Sequence, residues 1–350
     1  MIVYLLIVVC LFISFILVHK YIFTSNLPMD PFIIQLLARI LLYNNDFSTS
    51  YRLLSSNHTH FALLEPLLKE LGLLDNTHVF VPFGSFTHLA IKCNCPYIFH
   101  LAIKFGFDDW NGALCDACYF GISPLVDQLI KKGANNWDGA LANACRGGHL
   151  ELAQLMIDKG ANNWDWALAN ACRGGHFGLA QLMIDKGANN WNGALADACE
   201  GGHRDLAQLM IDKGANYWDW SLNSACEGGH LGLAQLMIDK GANNWNWALG
   251  WACRSGHLEL AQLMIEKGAN DWNKALISAC MSGHYDLAQL MIDKGANDWN
   301  RALSIALANN SFQLVKLLVQ KGATVGLMDL DNYPRLSPQI TVYLKSFSSS

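Results

Sequence analysis

Cysteine and histidine recur as pairs along the middle of this chain, and both residue types are common zinc ligands. Three residues separate the members of each pair, as in Cys145 and His149, and the pair occurs six times. A further group combines a C-x-C pair with a C-x2-C pair, at Cys93, Cys95, Cys115 and Cys118. If side chains from several pairs converged on one point, the chemistry would be metal binding.

The repetition of the pair argues against such a site. Four ligands must converge on one zinc ion, whereas equivalent residues on stacked helices lie roughly 8–10 Å apart. The repeated cysteine is better explained as a small buried side chain. The histidine is better explained as a turn residue that hydrogen-bonds to neighbouring loop carbonyls. Cys118 belongs to the same periodic series, which weakens the C-x2-C group as well.

The sequence predicts no metal, no cofactor and no enzymatic activity. A catalyst needs one unique constellation of residues, and the sequence contains no phosphate-binding loop, carboxylate pair or nucleophile with an adjacent base. Apolar residues make up 52% of the chain and charged residues 15%, a balance that excludes a disordered protein. The formal net charge is −5, without the basic excess expected of a nucleic-acid-binding protein.

A fixed interval of 27 residues organises most of the chain. Tryptophan follows this interval at Trp110, Trp137, Trp164, Trp191, Trp218, Trp245, Trp272 and Trp299. Such a period indicates an array of stacked supersecondary units. The interval divides the chain into a hydrophobic segment (1–23), a separate segment (24–82), nine units (83–325) and a tail (326–350).

Each unit is predicted to form two short helices joined by a glycine turn, as in residues 137–163. Asp138 follows the periodic tryptophan and is expected to cap the first helix, which ends at Gly147 and Gly148. A second helix is predicted from about Leu150 to Lys159. Helices of about three turns are marginal alone in water. We therefore predict an all-α fold in which every unit is buried against its neighbours.

The string ALANACRGGHLELAQLMIDKGA, residues 140–161, resembles the core of the ankyrin repeat. The glycine–histidine turn, the paired small residues and the terminal Gly-Ala all align. The resemblance implies an α-solenoid of stacked helix-turn-helix units that binds a protein partner through its concave face. Each unit is shorter than the usual repeat of about 33 residues, so we expect a tight turn in place of the β-hairpin finger. Similar shortened, tryptophan-containing units occur in proteins of large DNA viruses, and the resemblance implies a viral origin.

The units differ most at the second, fifth, sixth and ninth residues after the periodic tryptophan. Their spacing places them on one face of the first helix, which we call the variable face; in the ankyrin fold the equivalent face lines the concave groove. Tryptophan and arginine there match the composition of protein-interface hot spots. The predicted partner-binding residues are Trp166, Trp220, Trp247, Trp251, Arg146, Arg173, Arg254, Glu200 and Glu227.

The extra tryptophans on the variable face have a binding interpretation and a structural one. Trp247 and Trp251 are one helical turn apart and are expected to form a joint aromatic patch. The alternative to partner binding is a structural role, because tryptophan is often part-buried in proteins.

The N-terminal run from Ile2 to Val18 contains no charged residue and is followed by Lys20. Its length is at the lower end of the range for a bilayer-spanning helix, and no cleavage signal is evident. We therefore predict a single-pass membrane anchor, with a buried helix as the alternative. Lys20 and the unpaired cysteines favour a cytosolic location for the repeats.

Residues 27–71 resemble an F-box. Leu27-Pro28 is followed by an apolar helix, then by Asp46-Phe47 and Arg52-Leu53-Leu54-Ser55. In that family the segment docks the adaptor of a cullin-type ubiquitin ligase. The residues that the resemblance assigns to adaptor binding are Leu27, Pro28, Ile33, Leu36 and Leu37. The alternative is a helical cap that covers the open end of the array.

The last unit, 299–325, has Leu307 and Ser311 in place of the periodic cysteine and histidine. It also carries more polar residues, which is typical of a capping unit. In the tail, Pro334, Pro338 and a serine-rich end predict partial order at best.

Three functions are consistent with these features. The favoured one is a membrane-tethered interaction module, acting as the substrate receptor of a cullin-type ubiquitin ligase. The second is a membrane-tethered scaffold or decoy without a ligase. An enzyme is a distant third, since it would need a unique pocket with a strongly perturbed titratable group.

Overall fold

The structure, a computed structural model, describes residue 91, residues 108–324 and residues 336–348. Every regular element in these ranges is an α-helix, as the sequence predicts, and no strand replaces the shortened finger. The candidate anchor (1–23) and the segment with the F-box resemblance (24–82) lie outside the described residues. Contacts divide the chain into an N-terminal unit, residues 1–135, and a C-terminal unit, residues 136–350.

The described part of the N-terminal unit contains one helix pair, α1 (Trp110–Tyr119) and α2 (Ser123–Lys131). Oδ1 of Asp109 accepts a hydrogen bond from the backbone N–H of Gly112 at 2.8 Å and caps α1. A proline in the first turn of α2 suits that position, because the first N–H groups of a helix have no intrahelical partner. The pair packs together through buried Leu114, Cys118 and Leu129.

The C-terminal unit consists of seven helix pairs and a final helix. The first helices are α3 (Trp137–Gly147), α5 (Trp164–Gly174), α7 (Trp191–Gly201), α9 (Trp218–Gly228), α11 (Trp245–Ser255), α13 (Trp272–Ser282) and α15 (Trp299–Ala308). The second helices are α4 (Leu150–Asp158), α6 (Phe177–Asp185), α8 (Arg204–Asp212), α10 (Leu231–Lys240), α12 (Leu258–Glu266), α14 (Tyr285–Asp293) and α16 (Phe312–Lys321), and the final helix is α17 (Pro338–Ser348). Within the described residues, no helix is both long and apolar enough to span a membrane.

Small side chains determine how the pairs stack. Each first helix packs on the first helix of the next repeat, while each second helix packs mainly on its own first helix. In α5 the residues at this contact are Ala167, Leu168, Ala171 and Cys172, all fully buried. Alanine and cysteine let two helix backbones approach closely, and the larger leucine and methionine side chains fill the space between first and second helices.

The helix caps differ from the prediction. Asn136, the residue before the periodic tryptophan, caps α3 by accepting from the N–H of Gly139 at 3.1 Å. Asp138 does not cap its own helix. Its Oδ1 instead accepts from the backbone N–H groups of Asn162 and Asn163, at 2.7 and 2.9 Å. These two residues lie in the loop that joins one repeat to the next, which we call the connection. The prediction was wrong because a cap must come from the last non-helical residue, and the helix begins two residues earlier than expected, at Trp137.

This contact between repeats recurs along the C-terminal unit. Oδ1 of the residue after each periodic tryptophan accepts from the N–H groups of the connection 24 and 25 residues later, whether the residue is aspartate (Asp165) or asparagine (Asn192). Both residue types serve because each presents one acceptor oxygen of the same geometry. The backbone N–H groups of each connection are thus satisfied by the preceding repeat.

The glycine–histidine turn forms a second contact between repeats. Gly175 has a left-handed φ of 81°, and a side chain there would collide with the ring of His203 from the next repeat. Gly201 approaches the carbonyl group of Arg173 so closely that a β-carbon would not fit. Nε2 of His230 donates to the carbonyl oxygen of Glu200 at 3.1 Å, as predicted for the turn histidines.

The C-terminal end of the array includes a helix that the sequence does not predict. Asn309 takes over the role of the missing histidine, and its Nδ2 donates to the carbonyl of Met281 at 2.8 Å. Helix α17 packs on α16, with Tyr343 edge-on to Phe312 at 5.7 Å between ring centroids. Ile340 and Leu344 of α17 are fully buried. The final helix therefore packs on the last repeat through the apolar side chains of Ile340 and Leu344 and the ring of Tyr343.

We expect Asp165→Ala to lower the free energy of unfolding by about 1–2 kcal/mol, because two backbone N–H groups lose their acceptor. Asp165→Asn should retain nearly all of the stability, since asparagine makes the same contact in other repeats. Asp185→Ala removes only an exposed bond to Gln181 and should cost at most about 0.5 kcal/mol. Urea unfolding followed by circular dichroism measures all three, and equal losses for the two alanine variants would contradict this role.

Candidate functional site

The cysteines that suggested zinc chemistry belong to the core. Burial raises the pKa of Cys118, Cys145, Cys172, Cys199, Cys226, Cys253 and Cys280 to about 12. The thiols therefore stay protonated at neutral pH, whereas zinc binds the thiolate. From His176 to His284, the histidine of each pair lies at the start of the second helix, against the glycine turn of the preceding repeat. Among the described residues, no cluster of three metal-ligating side chains occurs; Cys93 and Cys95 lie outside them.

The variable face is continuous from one repeat to the next in the C-terminal unit. Arg173 on α5 reaches Asp197 and Glu200 on α7, and Lys274 on α13 reaches the ring of Trp247 on α11. These contacts join residues 24 to 27 positions apart, which is the repeat interval. Because the first helices stack directly, equivalent variable positions form rows across neighbouring helices.

One part of the variable face forms an ion-pair cluster. The guanidinium of Arg173 bonds to Oδ1 of Asp197, through Nε at 2.7 Å, and to Oε2 of Glu200, through Nη2 at 2.5 Å. Burial raises the pKa of Asp197 and of Glu200, and Arg173 and then Arg146 act in the opposite direction. Glu227 further raises the pKa of Glu200 by repulsion. Arg173 thus offsets the cost of placing two carboxylates side by side.

The extra tryptophans are the largest apolar groups on the variable face. Trp166, Trp220 and Trp247 are the second residue after the periodic tryptophan of their repeats and are 45, 49 and 51% exposed. Trp251, the sixth residue after Trp245 on α11, is half-buried. The periodic tryptophans are more enclosed, and Trp299 is fixed by a hydrogen bond from Nε1 to the carbonyl of Ala296 at 2.7 Å.

Trp247 and Trp251 are expected to form a joint aromatic patch, and each ring also lies next to a cation. In the described structure Nζ of Lys274 lies 3.2 Å from the ring centroid of Trp247, and Cζ of Arg254 lies 5.4 Å from that of Trp251. Cations are attracted to the negative face of an indole ring. The two tryptophans therefore belong to a mixed aromatic and basic surface.

The structure adds three residues that the sequence had not singled out. Asp197 completes the ion-pair cluster, and Lys274 covers Trp247. Oδ1 of Asn223, between Trp220 and Glu227 on α9, is the one described buried side-chain atom without a hydrogen-bond partner. All three lie at variable positions, so the sequence could have placed them on the variable face. It could not identify their roles, because Asp197 and Lys274 contact residues of other helices and Oδ1 of Asn223 has no hydrogen-bond partner within the described residues. Arg146, Glu227 and Arg254 are exposed, and each is the ninth residue after its periodic tryptophan, on the variable face.

Comparison with protein families finds ankyrin repeats. A family model described as "Ankyrin repeats (3 copies)" matches residues 114–191, 141–219, 198–275 and 270–329, which together cover more than half of the chain. No curated protein matches the chain.

We expect Arg173→Met to destabilise the fold by about 1–3 kcal/mol near neutral pH and by clearly less near about pH 4, the ordinary pKa range of carboxyl groups. A carboxyl group with a raised folded-state pKa favours folding while it is protonated and opposes folding as the pH rises through that pKa. Loss of Arg173 raises the pKa of Asp197 and Glu200 further, so the added cost appears at the higher pH.

The measurement is urea unfolding at the two pH values. Arg173→Met combined with Asp197→Asn and Glu200→Gln is the control, since it removes the titrating groups and should abolish the difference. An equal loss for Arg173→Met at both pH values would contradict the role assigned to this cluster.

Proposed function

This chain belongs to the ankyrin-repeat family, and from that membership we propose that its variable face binds a protein partner. Ankyrin repeats are protein-interaction modules, and this chain keeps their helix pairs without their finger. The supporting observation is the exposure of Trp166, Trp220 and Trp247, each close to half, at one equivalent position on three first helices. The other variable positions supply charged groups for orientation.

Exposure of these tryptophan side chains to water is unfavourable. Exposed apolar surface costs about 25 cal/mol per Å² relative to burial, and tryptophan has more of it than any other residue. The rings of Trp166 and Trp220 make no ring contact or side-chain hydrogen bond within the described residues, unlike Trp299. A partner that covered these rings would gain that energy.

The role of this binding surface is proposed from the N-terminal sequence. Leu27-Pro28, Asp46-Phe47 and Arg52-Leu53-Leu54-Ser55 resemble an F-box, so the partner would be a substrate presented to a cullin-type ubiquitin ligase. Adaptor binding is assigned to Leu27, Pro28, Ile33, Leu36 and Leu37. The competing proposal is a scaffold or decoy in which this segment only caps the array.

Location and origin are also proposed from sequence. The uncharged run from Ile2 to Val18 would anchor the protein in a membrane by a single helix. Lys20 after that run would keep the repeats in the cytosol. The shortened, tryptophan-containing repeats would belong to a viral protein that acts in a host cell.

We expect Trp247→Ser combined with Trp251→Ser to abolish binding of peptides selected on the full-length protein from a random display library. Serine removes the apolar surface but leaves both backbone positions helical. Phe177→Ser combined with Tyr285→Ser is the matched control, since both rings are exposed on second helices, outside the variable face. Circular dichroism should show unchanged helix content in both variants. Full binding by the tryptophan variant would exclude this face.

The ligase proposal predicts that the full-length protein co-purifies with the ligase adaptor. Leu27→Ala combined with Pro28→Ala should abolish co-purification and leave binding of the selected peptides intact, because the two changes lie outside the repeats. If the unaltered protein does not co-purify with the ligase adaptor, the scaffold or decoy is favoured.

A further inference from the structure

The variable face carries its charges in two different states. Arg173 is neutralised by Asp197 and Glu200. Farther along, Arg254, Lys274 and Arg301 form no ion pair with any described residue, and Arg254 and Arg301 are exposed. We call Trp247, Trp251 and these three cations the aromatic–basic section. We propose that this section binds an acidic, partly apolar segment of the partner protein, an inference that rests on the function proposed above.

Acidic groups near the section do not neutralise it. The variable positions of α11, α13 and α15 contain no aspartate or glutamate. Glu227, on α9, lies on the same face one repeat earlier than Arg254 and forms no ion pair with it within the described structure. Asp271 and Asp298 precede α13 and α15, and Oδ1 of Asp271 accepts from the backbone N–H of Lys274. The three side-chain cations are therefore available to an external carboxylate.

The tryptophan rings position two of the cations. Nζ of Lys274 lies over Trp247, and the guanidinium of Arg254 lies near Trp251. A cation held against a ring has lost much of its rotamer freedom, so pairing with a carboxylate costs less entropy. An ammonium and a guanidinium still have several N–H donors that the ring does not occupy. Each site thus offers an apolar surface next to an ordered donor group.

The spacing of the cations defines the expected ligand. Lys274 and Arg301 occupy equivalent positions in successive repeats, about 10 Å apart. Arg254 is one repeat earlier than Lys274 and also seven residues farther along its helix, so about 10 Å between helices combines with about 10 Å along the axis to give about 14 Å. An extended chain rises about 3.3 Å per residue, so carboxylates about three residues apart match Lys274 and Arg301, and carboxylates about four residues apart match Arg254 and Lys274. Apolar side chains between them would cover Trp247 and Trp251.

A short acidic segment fits this surface better than a nucleic acid or an anionic membrane. The whole chain has a net charge of −5, and that charge repels extended polyanions at distances up to a Debye length. Three local cations and two indole rings are enough to attract a few carboxylates. They are too few for the phosphate contacts that nucleic-acid binding normally uses.

The test selects peptides on the full-length protein from a random phage-display library. Selected sequences should be rich in aspartate and glutamate with interspersed apolar residues. In fluorescence anisotropy, a labelled peptide from this pool should bind at least about tenfold more tightly than its Gln/Asn version, equivalent to about 1.4 kcal/mol. The difference should shrink as salt is raised from about 0.1 M to about 0.5 M.

The variant Arg254→Gln, Lys274→Gln, Arg301→Gln should lose that tenfold preference. The variant Lys159→Gln, Lys186→Gln, Lys213→Gln removes the same charge at the ends of second helices and should keep it. Peptides that need Trp247 and Trp251 but ignore the first triple variant would overturn this inference and leave the proposed function intact. Peptides that ignore the tryptophans would overturn both.

Two further probes test the class of ligand. Phosphatidylserine in vesicles should add no binding beyond that to phosphatidylcholine vesicles, and a single-stranded oligonucleotide should bind weakly. Neither result should depend on Arg254, Lys274 and Arg301. Binding of either probe as tight as that of the acidic peptide, with the same dependence on these residues, would overturn the assignment to a protein partner.

Discussion

The contact between successive first helices is the constraint on which the rest of the C-terminal unit depends. Small residues such as Ala171 and Cys172 bring the helix backbones close together. Polar groups at the ends of the helices then fall within reach of the neighbouring repeat, where Asp165 and His230 satisfy backbone groups of an adjacent repeat. Each repeat thus supplies hydrogen-bond partners that its neighbour lacks, and short helices that are marginal alone become stable in a row.

This arrangement explains why residues that usually do chemistry are repeated without doing any. A histidine that must donate to one carbonyl, or an aspartate that must accept from two N–H groups, is fixed by geometry in every repeat. Asn309 shows that the requirement is a donor at one place, since an amide replaces the imidazole there. The periodic cysteines are small buried side chains, and burial raises the pKa of their thiols so that they stay protonated.

Because these contacts fix the scaffold, the variable face is free to differ between repeats. Its two parts handle charge differently. Arg173 is used internally, since Asp197 and Glu200 would otherwise be left part-buried and unpaired. Arg254 and Lys274 are instead held by aromatic rings, which order a cation without neutralising it. The variable face therefore presents a closed ion pair at one part and available cations with apolar rings at the other.

The sequence alone determined the repeat, the helix pairs, the second-helix bounds and the burial of the periodic cysteines, because all of these follow from local propensity and a period of 27 residues. It misassigned Asp138, and it did not predict the pairing of Arg173 with Asp197, the contact of Lys274 with Trp247 or helix α17. Each of these involves groups that lie about 24 or more residues apart or belong to different helices. Which atoms meet at such a separation depends on the distance and rotation between stacked helices, and only the tertiary structure decides those.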